Sequence, residues 1–297
     1  MAGGKKRAVL IAGPTASGKS ALALARAREL GGVVVNADAL QVYSGLSVLT
    51  ARPSEAETAE APHALYGFVD PAVRFSTGAW AEAAARTIEE AEGRPLIFVG
   101  GTGLYFEVLE RGFADVPPVP DAVVAAVERE LEGLDAAGRA RLVAARDPEM
   151  AMRLKGADPQ RVARALAVRV ATGESLARFQ DQAQAGLLDG FAIERLVLNP
   201  DREVLRQRIA DRFAAMLETG AVAEVEALLA RRLDPGLPAM KAIGVREIGA
   251  WLAGDLTREE AITRAVIATR QYAKRQRTWF RGRMADWRWV DPATLAG

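Results

Sequence analysis

The chain has 297 residues, half of them hydrophobic, enough to bury a substantial core as one large domain or two modest ones. Its 39 basic and 38 acidic residues nearly cancel, which excludes a bulk polycation that coats nucleic acid and restricts any nucleic-acid contact to a local patch. With no cysteine and one histidine, it has no disulfide framework, no thiolate chemistry and no structural zinc site. No apolar run approaches the roughly 20 residues that span a bilayer, so a cytoplasmic, soluble protein is expected.

The first strand is expected over 8–12, an apolar run that meets Gly13-Pro14-Thr15-Ala16-Ser17-Gly18-Lys19-Ser20 and then a helix over 21–30. The turn fits the phosphate-loop pattern G-x-x-x-x-G-K-[ST] at every required position. Its glycines let successive N–H groups point at one anion. The following helix adds its N-terminal dipole, Lys19 a full charge, and Ser20 a hydroxyl suited to Mg²⁺. Gly31 and Gly32 end the helix, and a short β-branched run from Val33 reads as a buried strand that delivers Asp38 to its carboxyl end, where open α/β sheets bind ligands. An ordinary solvated turn is the alternative for this Asp.

Beyond the loop carrying Arg52, His63 reads as a structural or hydrogen-bonding residue, because no second ligand type stands nearby. A helix is expected over 77–91 with Thr77 as its cap, then a strand over 94–99 that runs into Gly100, Gly101, Thr102 and Gly103. This is a second glycine turn at the end of a second strand, and neighbouring strand ends share one crevice. A proline-rich break over 115–121 then opens a stretch to about residue 188 with helical periodicity only. Within it, Asp158 and Pro159 form a cap-and-proline helix start, and Arg161 and Arg164 fall on one face.

A strand returns over 191–198, followed by a helix rich in arginine that contains Arg208 and Arg212. In the last helix, over 258–281, Ile262, Val266, Ala273 and Phe280 share a face, while Arg270, Lys274, Arg277 and Arg281 form a stripe about a quarter turn away. Basic residues late in a helix also suit its dipole, but four in register suggest a surface that meets phosphates. Trp279, Trp287 and Trp289 read as packing residues. The expected architecture is α/β: a P-loop NTPase-like parallel-sheet core over 1–114 and 191–297, with an all-helical domain inserted at 115–190.

A phosphate loop alone admits several chemistries. A GTPase lacks support because no Asn-Lys-x-Asp signature appears, whereas a small-molecule kinase with Asp38 as base and the insertion as lid remains open. The ordered set Gly13–Ser20, Asp38-Ala-Leu-Gln-Val-Tyr43, Thr50-Ala-Arg-Pro53, Ala61-Pro-His63, Gly100-Gly-Thr-Gly-Leu-Tyr105, Asp158-Pro-Gln-Arg161 and Ala268-Thr-Arg-Gln-Tyr-Ala-Lys-Arg-Gln-Arg-Thr-Trp279 resembles the bacterial tRNA dimethylallyltransferases, also called tRNA isopentenyltransferases.

The resemblance implies transfer of a dimethylallyl group from dimethylallyl diphosphate to the exocyclic amine of the adenosine just 3′ of the anticodon of tRNA. It implies that Gly13, Pro14, Thr15, Ala16, Ser17, Gly18, Lys19 and Ser20, with Arg212, bind the diphosphate, with Mg²⁺ on Ser20 as cofactor. Asp38 and Thr102 are the implied catalytic residues. Asp38, Ala39, Leu40, Gln41, Thr102, Gln160, Arg161, Val162, Ala163 and Arg164 are implied to touch tRNA, with the insertion gripping the anticodon loop. Where the family usually reads Ser-Met after the catalytic Asp, this chain has Ala39 and Leu40, losing one hydroxyl. A monomer suffices for all of this, and the sequence leaves open whether ATP enters the loop. The nearest rival is an adenylate isopentenyltransferase using the same donor.

Overall fold

The computed structural model describes residues 5–114, 116–182 and 185–295; Asp115, at the start of the proline-rich break, lies outside the described residues. The chain divides into two compact units, one formed by 1–110 with 187–297 and the other by 111–186.

In the first unit, β1 (Arg7–Ala12) leads through the phosphate loop into α1 (Lys19–Leu30) and β2 (Val33–Asn36). Next come α2 (Glu55–Glu60), the two-residue β3 (His63–Ala64), α3 (Thr77–Glu90), β4 (Leu96–Gly100) and α4 (Gly103–Arg111). The cap of α3 is Ser76, not Thr77: its hydroxyl accepts the Ala79 N–H at 3.1 Å, which places Thr77 inside the first turn.

The helical unit holds α5 (Asp121–Leu131), α6 (Ala136–Arg146), α7 (Pro148–Arg153), α8 (Pro159–Thr172) and α9 (Leu176–Asp181). Asp135, Asp147, Asp158 and Ser175 each accept a backbone N–H at the start of the following helix. One apolar cluster gathers Val127, Leu131, Val143, Val162 and Leu166, and a second gathers Met150, Ala165, Val168 and Leu176. At about 1.5–3 kcal/mol per buried aliphatic side chain, these clusters supply the core that the sequence pattern predicts.

The chain re-enters the first unit with β5 (Ala192–Leu198), α10 (Arg202–Glu218), α11 (Ala221–Ala230), α12 (Val245–Leu252), the 26-residue α13 (Arg258–Arg283) and β6 (Arg288–Val290). All six strands are parallel, in the order β3-β2-β4-β1-β5-β6. Residues Ala8 to Ala12 of β1 are fully buried, as a central strand covered on both faces requires. Ala23 and Ala27 let α1 lie close on Val9, Ile97 and Leu196.

This order has a direct consequence for function. β4 lies between β1 and β2, so the turns after all three strands open side by side at one carboxyl edge. No helix among the described residues is long and apolar enough to cross a membrane.

Candidate active site

The loop after β1 curls through two left-handed residues, Ala16 (φ 62°) and Gly18 (φ 87°). Ser17 N–H donates to the Pro14 carbonyl at 3.2 Å. The Ser17 hydroxyl is fully buried against Gly13 and has no hydrogen-bond partner among the described residues. Ala16 to Ser20 and two arginines of α10, Arg208 and Arg212, line an open bowl of about 420 Å³. An Arg212 Nη2 donates to the Thr15 hydroxyl and ties α10 to the loop. Lys19 is held within 3.4 Å of the Pro14 carbonyl. Burial pulls its ammonium down to about 8; the Asp38 carboxylate opposes that fall and Arg212 adds to it. Burial likewise lowers Arg212, again opposed by Asp38.

Asp38 stands two residues past the end of β2, and Asn36 fixes it there. Fully buried, Asn36 accepts the Asp38 N–H at 2.8 Å and donates to the Asp38 carbonyl at 2.9 Å and the Leu65 carbonyl at 3.0 Å. Asp38 Oδ1 accepts the Leu40 N–H at 3.1 Å, while Oδ2 turns toward Gly101.

The glycine turn after β4 is stitched to the same segment. The Ala37 N–H donates to Val99, the Thr102 N–H donates to the Ala37 carbonyl, and the Thr102 hydroxyl accepts the Ala39 N–H at 2.9 Å. Such close approach requires glycine: a Cβ on Gly100 would lie 2.0 Å from the Ala37 oxygen. From α13, Gln276 accepts the Thr15 N–H at 2.9 Å and donates to the Gly101 carbonyl at 3.0 Å, bridging the phosphate loop and the Thr102 turn.

Asp38, Thr15 and Arg212 share one pocket with an apolar wall that includes Leu40, Leu49, Phe213, Met216 and Ile243. Tyr272 completes it; burial and then the Asp38 charge push its hydroxyl up, so it stays a neutral phenol. Gln41 commits both amide hydrogens to the Thr50 and Ala51 carbonyls at 2.9 Å. A carboxylate of α11, Glu224, accepts the N–H groups of Ser47, Val48 and Leu49 and holds the same loop.

The structure thus brings together Thr15, Lys19, Asp38, Thr102 and Arg212. Gln160 to Arg164 belong to α8 of the helical unit. Gln160, Arg161 and Arg164 are exposed there, but Val162 is fully buried in an apolar cluster, so its side chain is a core residue and presents no surface to RNA. Sequence reasoning missed Asn36, Arg208, Glu224 and Gln276. Asn36 and Gln276 carry a signal of their own, since polar residues in otherwise buried positions mark hydrogen-bonding posts. His63 behaves as expected, its Nδ1 lying 2.8 Å from the Ala61 carbonyl.

A phosphate loop, a carboxylate and an apolar-walled pocket thus stand together at the carboxyl edge of one parallel sheet. The chain matches the IPP transferase family model over residues 41–283 and the isopentenyl transferase model over 6–65. It is 55% identical to a tRNA dimethylallyltransferase of Methylobacterium sp. (strain 4-46), covering 96% of this chain and 94% of that one, and 53% identical to one from Methylobacterium nodulans, covering 98% and 97%. Among solved structures it resembles the tRNA isopentenylpyrophosphate transferase of Bacillus halodurans, with a TM-score of 0.67, 31% identity, and 97% and 90% of the two chains covered. It also resembles a eukaryotic dimethylallyltransferase acting on tRNA, with a TM-score of 0.81, 28% identity, and 96% and 74% covered. The chain belongs to the tRNA dimethylallyltransferase family.

Proposed function

We propose that this protein transfers the dimethylallyl group of dimethylallyl diphosphate to the exocyclic amine of the adenosine 3′-adjacent to the anticodon of tRNA, releasing diphosphate. The observation that carries the reading is one pocket holding a carboxylate, an arginine and an apolar wall beside the phosphate bowl. Such a pocket suits a donor with a charged end and a five-carbon apolar end.

In the reaction the amine nitrogen attacks the allylic carbon, the carbon–oxygen bond breaks, and its electron pair leaves on diphosphate. Lys19, Arg212 and the loop N–H groups stabilise the charge growing on the leaving oxygen in a partly dehydrated site. The adenine amine is a poor nucleophile because its lone pair is delocalised into the ring. Asp38 Oδ2 accepts an amine hydrogen bond and takes the proton as the new bond forms. The Thr102 hydroxyl accepts the Ala39 N–H, which leaves its own hydrogen free to donate to the leaving group. A stacked base cannot present its amine to a buried electrophile, so the adenosine leaves its stack to react.

The residues present fit Mg²⁺. Ser20 is an exposed hydroxyl at the start of α1, and among the described residues no group of three or more His, Asp or Glu forms a protein-only cage. Mg²⁺ would therefore be held by Ser20 together with diphosphate oxygens and would supply charge neutralisation to the leaving group. We assign tRNA contact to Asp38, Ala39, Leu40, Gln41, Thr102 and the exposed residues around Arg161 and Arg164. The helical unit grips the anticodon loop, and the enzyme works as a cytoplasmic monomer.

The test is incubation with labelled dimethylallyl diphosphate and either unmodified tRNA or AMP, with ATP and small acceptors in parallel. Label in tRNA that disappears in Asp38→Ala supports the proposal. Label in AMP, phosphate transfer from ATP, or full-speed tRNA prenylation by Asp38→Ala overturns it.

A further inference from the structure

The segment between β2 and α2 walls the reaction pocket through Leu49 and Thr50, yet over residues 44–52 it runs through turns alone. Its shape is held from outside. Glu224, in the first turn of α11, accepts the N–H groups of Ser47 and Val48 at 2.7 Å on one carboxylate oxygen and that of Leu49 at 2.9 Å on the other. Three successive N–H groups aimed at one point make a concavity that binds an anion, and here the chain's own carboxylate fills it. The start of a helix dipole suits a carboxylate at that position. On the far side of the turn, Arg52 donates to the Tyr43 carbonyl at 3.1 Å and Gln41 holds the Thr50 and Ala51 carbonyls.

What these bonds position is Leu49. Its buried side chain packs over Gly244 and beside Phe213: a Cβ on Gly244 would lie 2.6 Å from Leu49 Cδ1 and 3.4 Å from the Phe213 ring. Along α10, Arg212 marks the phosphate end of the pocket by its bond to the Thr15 hydroxyl. Met216 lies one turn farther, about 6 Å along the axis, and lines the apolar end with Leu49, Phe213, Ala242 and Ile243. The four-carbon backbone of a dimethylallyl group, three bonds of about 1.5 Å each, fits within that turn. A ten-carbon donor would drive its second unit into Leu49 and Met216.

We propose that Glu224 is a positioning residue for donor length: by fixing the Ser47–Leu49 turn, it sets Leu49 as a stop that admits one five-carbon unit and excludes two. The proposal rests on the prenyl-transfer reading above.

The test compares kcat/KM for dimethylallyl diphosphate with that for geranyl diphosphate, which carries one further five-carbon unit, using unmodified tRNA as acceptor. It uses the full-length protein and its Glu224→Ala, Glu224→Gln, Leu49→Ala and Glu224→Ala/Leu49→Ala variants. Both donors meet the same folded fraction of enzyme, so a loss of stability alone leaves the ratio of the two values unchanged. Because one methylene in an apolar pocket discriminates by about 10–200-fold, the preference for the shorter donor is expected to fall at least about tenfold in Glu224→Ala and in Leu49→Ala. Glu224→Gln keeps one acceptor oxygen but turns an amide N–H toward a backbone N–H, so its ratio falls between; it also keeps the test readable if the alanine variant does not fold. The double variant falls no further than Leu49→Ala, since Glu224 acts through Leu49. An unchanged ratio in the Glu224 variants overturns the positioning role, as do additive shifts in the double variant. A raised tRNA KM at a constant ratio overturns it too, because the wall would then meet the base and not the donor. Absence of transfer from either donor by the wild-type protein overturns the prenyl-transfer reading and the proposal with it.

Discussion

Asn36 offers the sharpest test of how the site is built. Replacing it with alanine removes three hydrogen bonds, at 2.8, 2.9 and 3.0 Å, and leaves the Asp38 N–H, the Asp38 carbonyl and the Leu65 carbonyl without their partner. At about 1 kcal/mol each, the loss in stability is about 3 kcal/mol. For a unit of this size that corresponds to a fall of about 6–12 °C in the unfolding midpoint. The catalytic effect has a separate origin. Asn36 anchors both backbone groups of Asp38, so without it the carboxylate drifts, and a displacement of about 1 Å costs about 100-fold in rate. Single-turnover prenyl transfer to tRNA, with thermal unfolding measured on the same preparation, reads both quantities. A variant that loses the stated stability yet transfers at the wild-type rate refutes the positioning role and leaves Asn36 a purely structural post.

Lys19 makes the phosphate bowl sensitive to pH. Its folded value of about 8 lies below its ordinary 10.5, so between these pH values the unfolded chain binds more protons and Lys19's contribution to stability rises with pH. Diphosphate needs the charged form, so its affinity should fall as pH rises through 8, while Lys19→Arg stays flat; a flat wild-type profile refutes this. Gly100→Ala puts a Cβ 2.0 Å from the Ala37 oxygen, so the Thr102 and Asp38 turns should separate, with loss of both stability and transfer; a folded, fully active variant contradicts the packing. Gln276→Ala removes the bonds to Thr15 and Gly101 and should cost about 2 kcal/mol and raise the KM for dimethylallyl diphosphate. An unchanged donor KM would show that the bridge does not shape the phosphate loop.

What the sequence made legible was local. A phosphate loop is a contiguous turn whose glycine, lysine and serine positions follow from backbone geometry, and strand β1 and helix α1 flank it as their patterns require. Asp38 and Thr102 were readable because strand ends in a parallel sheet converge, although pattern alone did not give the order that puts β4 between β1 and β2. Long-range posts were not legible. Gln276 meets Thr15 across 261 positions and Glu224 meets Ser47 across 177, and no local rule predicts such pairs. Val162 shows the opposite error: a contiguous motif on a helix sends every third or fourth residue inward, so Gln160 to Arg164 cannot present one continuous face.

Helix α13 ties these regions together. Gln276 is 5% exposed and reaches the phosphate loop, while Lys274 and Arg277, on either side of it, face Arg202 and Arg206 of α10 across a cleft. Burial of Lys19 lowers its ammonium, and a charge contact made in a less hydrated site is the stronger for it. A slip of one residue in the register of α13 would rotate it by about 100° and withdraw Gln276 from the loop. The buried face that seats Ala273 and Phe280 therefore sets where Gln276 meets the phosphate loop, and core packing along this one helix becomes a determinant of the loop's geometry.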